Sequence, residues 1–256
     1  MKKYCLAITL ALLGNATLAT SVATHQPAAT SQPADSRCES SQPLLAHYRV
    51  TQSSAGQPSV SRTVMLVRDA NRVAYRYEDR AVTELWERAG NDHLHLVRYF
   101  DNYQRGIEYQ ADEIKGGADW ATQASLVSPQ LRHALQPGNS SGSGCEQLRE
   151  YTGQHHHERY QLVWQEQLQL PQRFEVIQAN GGAQVRWELV ELNRDKSAVE
   201  AIFHALDGYQ TTDYADVGDS ESDPFLQKMI NLGFIEHGHG GFYDAEGHSL
   251  SGGHHH

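Results

Sequence analysis

The stretch "LPQRFEVIQANGGAQVRWELVEL", residues 170–192, contains two apolar-rich runs separated by Asn180, Gly181 and Gly182. Both runs are rich in β-branched and aromatic residues, which favour strands. An Asn-Gly pair between two such runs is a strong signal for a β-hairpin, because both residues tolerate a positive φ. The stretch therefore predicts two antiparallel strands, at 172–178 and 183–192.

Runs of the same kind continue outward from this hairpin. They lie at 44–52, 59–69, 72–78, 82–88, 93–100 and 106–111 in the first half of the chain, and at 145–153 and 158–166 directly before the hairpin. The links between them are short and rich in Gly, Asn, Asp or Pro, which favours antiparallel pairing of sequential strands. The sequence thus predicts about ten antiparallel strands.

Three helices are predicted in addition. Ser128 followed by Pro129 is typical of a helix start. A second helix is predicted at 196–207, where apolar residues recur at helical spacing, and a third at 223–233. Because the last two each have one apolar face, we expect both to pack on one face of the sheet. The expected fold class is α+β, mainly antiparallel β: an open half-barrel or strongly curved sheet with two or three helices on one face.

The N-terminus has the three regions of a secretory signal: two lysines, an apolar run over 4–13, and then small residues. The apolar run is too short to span a bilayer. Cleavage after Ala23 fits the small-x-small rule, with Ala19 as the alternative. We therefore predict a signal peptide at 1–23, export to the periplasm and no stable membrane insertion.

The rest of the chain divides into three segments. Residues 24–42 are rich in Ser and Pro without periodicity, which predicts a disordered leader. A single β-rich domain is predicted at 43–235, followed by a flexible Gly/His-rich tail at 236–256. The terminal His254 to His256 belong either to a native tail or to an added purification tag.

The charge of the chain limits its partners. It has 21 Lys and Arg against 31 Asp and Glu, a formal net charge of -10 that becomes -12 when the two signal lysines are removed. An acidic chain without a basic patch makes nucleic acid a poor partner.

Two cysteines, Cys38 and Cys145, remain outside the signal peptide. In an oxidising compartment such an even pair favours a disulfide over two free thiols. The chain has no C-x-x-C motif, so redox catalysis has no support.

The hairpin at 170–192, with the preceding "YQLVWQEQLQLP" at 160–171, resembles a hairpin of the periplasmic half-barrel superfamily that includes LolA-like lipoprotein-localisation carriers and the RseB-like envelope-stress sensor. The resemblance covers about a third of the chain in pattern. That superfamily usually opens with a helix before the first strand, whereas the residues ahead of Leu44 predict none. The resemblance implies a concave sheet whose apolar inner face, partly covered by helices, takes an acyl chain or an acylated protein.

Eight apolar and aromatic residues are the candidates for this ligand groove. They are Val64, Leu66, Trp86, Leu94, Leu96, Phe100, Trp164 and Trp187. The alternative is that they form an ordinary core under the helices, since a half-buried sheet needs such residues in any case. The first functional hypothesis is therefore an exported binding or carrier protein for a hydrophobic small molecule or an acylated protein, with no required cofactor.

Histidine is unusually frequent, with 15 residues, and it recurs in pairs at i and i+2. The pairs are His93 and His95, His155 and His157, and His237 and His239. On a strand this spacing places both rings on one face, where they can share a zinc or copper ion. The alternative is that the first pair packs as sheet residues and the second forms a polar turn. The second functional hypothesis is a histidine-dependent protein that binds or buffers divalent metal.

Signals for an enzyme are the weakest in the sequence. "GNSSG" at 138–142 matches the G-x-S-x-G pattern around Ser140, but a nucleophile elbow needs a strand before the serine and a helix after it. A hydrolase is therefore the least supported hypothesis, and no catalytic residue is assigned. The acidic segment 213–223 lacks the alternating pattern of a calcium loop, which favours helix capping instead.

Overall fold

The computed structural model of the protein describes residues 38–90, 93–115, 118–178, 182–218, 222–231 and 238–239. The strands are β1 Leu44–Ser54, β2 Val60–Arg68, β3 Arg72–Tyr77, β4 Val82–Arg88, β5 Leu94–Phe100, β6 Arg105–Tyr109, β7 Ile114–Lys115, β8 Gln136–Ser141, β9 Leu148–His155, β10 Glu158–Gln165, β11 Leu170–Gln178, β12 Ala183–Asn193, β13 Gln210–Asp213 and β14 Gly238–His239. The helices are α1 Trp120–Ser125, α2 Pro129–Ala134, α3 Lys196–Asp207 and α4 Pro224–Asn231.

Twelve of these strands form one sheet in the order β13-β6-β5-β4-β3-β2-β1-β12-β11-β10-β9-β8. Neighbouring strands pair antiparallel except β13 and β6, which are parallel. The two edge strands, β13 and β8, do not pair with each other, so the sheet stays open within the described residues. The predicted mainly antiparallel, open half-barrel with a few helices is confirmed.

The hairpin predicted at 170–192 forms as β11 and β12. Val176 lies opposite Val185, and Phe174 lies opposite Trp187. β12 also pairs with β1, so the second group of strands joins the first in one continuous sheet. Asn180 and Gly181 of the predicted turn lie outside the described residues.

The sheet has two buried faces, because successive side chains of a strand point to opposite sides. We call the side that carries Tyr48, Leu66 and Trp86 the inner face. The side that carries Leu45 and Met65 is the outer face. The first four strands of the chain are buried on both sides, which explains their nearly continuous apolar runs.

The helices divide between these faces. Phe225, Leu226 and Met229 of α4 pack in the inner cluster. In contrast, α3 packs its buried Val199 and Phe203 on the outer face. This differs from the expectation that both helices share one face. The physical reason is that the outer side of β1 to β5 is itself apolar and needs its own cover.

Other differences concern short elements. Residues 136–141, where the sequence predicts no strand, form edge strand β8. The N-cap of α3 is Asp195, whose carboxylate accepts a hydrogen bond from the Ser197 amide. Of the predicted leader, residues 38–42 form a turn. The signal peptide at 1–23, the rest of the leader and all of the tail except 238–239 lie outside the described residues.

Candidate functional site

The eight predicted groove residues all lie in one apolar cluster on the inner face. Their exposed fractions are Val64 4%, Leu66 0%, Trp86 1%, Leu94 7%, Leu96 0%, Phe100 3%, Trp164 0% and Trp187 5%. The structure therefore brings them to a common face, as the sequence predicts, but packs them as core. Whether any of them contacts a ligand stays a prediction.

One half of the inner face is covered. The Phe225 ring of α4 packs edge-on against Phe100, with ring centroids 5.5 Å apart. Tyr214, which precedes α4, stacks on Tyr109 of β6 with centroids 5.1 Å apart. A ligand could reach this part of the inner face only if α4 moved.

The other half of the inner face retains accessible apolar surface. Phe174, Val176 and Val185 of β11 and β12 are only half-buried and pack beside the core. Val60, at the start of β2, is 49% exposed. Between these strands lies a small hollow of about 20 Å³, which is lined by Val64 and Trp187 and also by the ion-paired Arg62 and Asp79. The open apolar strip thus lies on β1, β2, β11 and β12, away from Leu94, Leu96 and Phe100. We call it the open strip.

A buried ion pair interrupts the apolar inner face. Glu84 of β4 lies directly opposite Arg98 of β5, and the Nε and Nη2 atoms of Arg98 lie 3.1 and 3.0 Å from Glu84 Oε1. Burial raises the pKa of Glu84, and the charge and hydrogen bond of Arg98 oppose that shift. Both side chains of the pair are held inside the core, away from solvent.

A cavity of about 310 Å³ lies at the end of the inner face, where α1, α2 and the β2–β3 turn meet. Of the eight predicted groove residues, Trp164 alone lines it. Its wall also carries Arg68, Arg88 and Arg132, which the sequence does not predict as site residues. Two buried arginines could have been noticed in the sequence: Arg68 follows the buried Leu66 by two residues, and Arg98 lies two residues from both Leu96 and Phe100.

The predicted disulfide is present: Cys38 is bonded to Cys145, with Cα atoms 5.2 Å apart. Cys38 is 4% exposed, so the bond fixes the N-terminal turn within the fold. Ser40 and Ser41 of that turn line the 310 Å³ cavity. The bond therefore holds one wall of the cavity in place.

The described histidine pairs do not converge. His93 and His95 lie at β5, whereas His155 and His157 lie at the turn between β9 and β10, with seven strands between β5 and β9 in the sheet. His237 lies outside the described residues, and the backbone of His239 pairs with that of Lys115. Across the described parts of the chain, no three His, Cys, Asp or Glu side chains form a group that could hold a metal ion. The structure gives the metal hypothesis no support.

His95 has carboxylate neighbours on both sides. Its Nδ1 lies 3.5 Å from Glu87 Oε2, and its Nε2 lies 3.6 Å from Glu108 Oε2. The hydrogen bond to Glu87, followed by the charge of Glu108, raises the pKa of His95 against the opposing effect of burial. The histidine is thus placed to act as a cation across three strands on the outer face.

This pKa shift predicts a pH-dependent contribution to stability. A raised pKa in the folded state stabilises the protein fully below the unfolded value of about 6.5, and the contribution is lost as pH rises through the folded pKa. His95→Gln should lower the free energy of unfolding by up to about 1 kcal/mol at pH 5.5 and by less at pH 8.5, since the pair is partly exposed. Urea unfolding at both pH values measures this, with the exposed His93→Gln as control. An equal loss at both pH values would contradict the prediction.

The remaining sequence motifs have structural roles. Ser140 lies in the exposed edge strand β8, which follows helix α2 and leads to β9, so the strand–serine–helix order of a nucleophile elbow is not formed there. Asp213 accepts a hydrogen bond from the Ala215 amide at 2.9 Å. Asp223 caps α4 and pairs with Arg105 at 2.9 Å. The two aspartates act as caps, in agreement with the sequence interpretation.

No helix within the described ranges combines the length and apolar character that a membrane span requires.

In comparisons of sequence, no protein-family model and no curated protein matches this chain. Similar solved structures include an uncharacterised conserved protein from Thermus thermophilus (8% identity, 68% of this chain and 91% of that one, TM-score 0.43). A second is a putative outer membrane lipoprotein-sorting protein domain from Vibrio parahaemolyticus (8% identity, 66% of this chain and 94% of that one, TM-score 0.35). A third is a LolA superfamily protein from Nitrosomonas europaea (9% identity, 60% of this chain and 86% of that one, TM-score 0.28). The LolA-like resemblance seen in the hairpin is thus found again among similar structures.

Proposed function

We propose that this chain is an exported periplasmic binding or carrier protein, without enzymatic activity, that holds the acyl chain of a small molecule or of an acylated protein. The observation that carries the proposal is the open strip, where Phe174, Val176 and Val185 remain half-buried beside the hollow that Trp187 lines. The predicted signal peptide and the Cys38–Cys145 disulfide support export.

The physical basis is the hydrophobic effect. Each CH₂ group that an acyl chain buries contributes about 0.8 kcal/mol. The hollow of about 20 Å³ is too small to enclose such a chain. The acyl chain would therefore lie along the open strip between β2 and β11, covering the half-buried side chains of Phe174, Val176 and Val185.

The proposal predicts that Val185→Lys will weaken binding of a neutral fluorescent alkyl probe by at least about tenfold, because a charge would then lie in the path of the chain. Val190 is on the same strand and 50% exposed, outside the inner cluster, so Val190→Lys is a matched control. Fluorescence titration of wild type and both variants measures the affinities. A neutral probe is used so that binding reports the apolar surface alone.

Two outcomes would refute the proposal: absence of saturable probe binding by wild type, or equal affinity in Val185→Lys and wild type. Circular dichroism of each variant checks that the fold persists. Leu96→Arg and Trp187→Arg are less suitable tests, since Leu96 is 0% and Trp187 5% exposed and an arginine there would be buried without a partner.

A further inference from the structure

The 310 Å³ cavity has an unusual concentration of positive charge. Arg68, Arg88 and Arg132 all line it, and Asp69 is the acidic residue in its wall. The Asp69 carboxylate is already engaged, because it accepts hydrogen bonds from the Asn71 and Arg72 amides and from Arg72 Nε. The charge balance of the cavity wall is therefore cationic.

Arg68 is the deepest of the three arginines. It is 2% exposed, and its Nη1 and Nη2 donate to the carbonyl oxygens of Ala124 and Leu168 at 2.5 and 2.6 Å. Its buried Nε has no hydrogen-bond partner among the residues that the structure describes. Burial lowers the pKa of Arg68 to about 10, so the guanidinium is still charged at neutral pH. A buried charge that meets only carbonyl dipoles is costly unless an anion approaches it.

The other two arginines lie over aromatic rings at the rim. The Arg88 guanidinium carbon is 5.0 Å from the centroid of the Trp120 ring, and that of Arg132 is 5.0 Å from the centroid of the Trp164 ring. Arg88 also donates to neutral acceptors, the Ala70 carbonyl and the Asn71 amide oxygen. A guanidinium over an aromatic ring is held by cation–π attraction, which uses none of its N–H groups.

Among the described residues, no carboxylate lies within ion-pair distance, 4.0 Å, of any of these three arginines. Three cations around one cavity without a matching acid form a site for an external anion. We infer that the cavity binds the oxyanion of a small ligand, a phosphate or carboxylate group, which the guanidinium groups of Arg68, Arg88 and Arg132 hold. Planar guanidinium groups suit this task because they can donate two parallel hydrogen bonds to such an oxyanion.

This site is separate from the open strip. Along β2, Val64 at the hollow and Arg68 at the cavity are four residues apart, roughly 13 Å. The 0% exposed Leu66 lies between them. The inference goes beyond the proposed acyl binding, and each can fail without the other.

The test uses isothermal titration of the full mature chain with inorganic phosphate, octyl phosphate and uncharged octanol. We expect both phosphates to bind saturably and octanol not to compete with phosphate. Arg88→Gln and Arg132→Gln should each weaken phosphate binding about tenfold, the typical effect of losing a charge-assisted hydrogen bond. The exposed Arg49 on β1 supplies the control, since Arg49→Gln removes the same charge elsewhere and should change the affinity less than about twofold.

The comparison of probes identifies the source of the oxyanion. Tighter binding of octyl phosphate than of phosphate, retained in Val185→Lys, assigns the site to a lipid-like headgroup, whereas equal affinities assign it to a free oxyanion. The inference is overturned if wild type binds neither phosphate saturably, or if Arg49→Gln loses as much affinity as Arg88→Gln and Arg132→Gln. Thermal unfolding confirms that the variants fold, and the half-buried Arg88 and Arg132 are chosen over the core residue Arg68 for that reason.

Discussion

Replacing Cys38 and Cys145 together with alanine is expected to lower the free energy of unfolding by about 4 to 5 kcal/mol. The bond joins positions 107 residues apart, so in the oxidised protein it removes a large loop-closure entropy from the unfolded chain. Alanine is preferred to serine because Cys38 is 4% exposed and a buried hydroxyl would need a partner. Urea unfolding followed by circular dichroism measures the difference.

Reduction of the wild-type protein provides the control for this substitution. Dithiothreitol should lower the unfolding midpoint of wild type to nearly that of the double variant and should leave the variant unchanged. A loss below about 1 kcal/mol would show that the bond constrains little of the unfolded ensemble. Ser40 and Ser41, which the disulfide holds in place, line the 310 Å³ cavity. The reduced protein should therefore also bind phosphate more weakly.

The hairpins were predictable from sequence because their signal is local. Alternating apolar residues around "NGG" specify both strands β11 and β12, and their pairing brings Phe174 opposite Trp187 as the pattern requires. Strand β8 gave no such signal, since all its side chains are exposed and its residues are typical of loops. Its place in the sheet depends on backbone hydrogen bonds to β9, which composition does not encode.

The face that α3 covers was not predictable from the helix alone. Val199, Phe203 and Leu206 define an apolar stripe but not its partner. The information lay in the strands instead: Val64, Met65, Leu66 and Val67 are consecutive and all buried, which requires cover on both sides of β2.

The group of arginines around the 310 Å³ cavity was not predictable from the sequence either. Arg68, Arg88 and Arg132 come from a strand end, a second strand end and a helix, and their separation in sequence carries no motif. Tertiary packing alone brings them together. For the histidine pairs the opposite is true: their regular spacing in the sequence predicted a metal site, but the strand order of the sheet keeps His95 and His155 apart.

Substituting Arg98 with methionine is expected to destabilise the protein by about 3 to 5 kcal/mol, because it leaves the Glu84 carboxylate buried without its partner. Glu84 is 4% exposed and receives both close contacts from Arg98. The loss should be smaller at acid pH. Burial without Arg98 raises the pKa of Glu84 further, so the protonated carboxyl is tolerated below the unfolded pKa of about 4.3 and stability falls as pH rises above it. Urea unfolding at pH 4 and pH 8 measures both effects.

The double variant Glu84→Leu with Arg98→Met separates the cost of an unpaired charge from the worth of the pair itself. Apolar groups in both positions continue the surrounding surface of Leu96 and Phe100, so the double variant should recover most of the stability that either single variant loses. The charge of Arg80 also lowers the pKa of Glu84. The loss of stability in Arg98→Met will be smaller to the extent that Arg80 takes the place of Arg98 beside Glu84. If the two single losses simply add in the double variant, Glu84 and Arg98 are not energetically coupled, and the buried pair does not fix the register of β4 on β5.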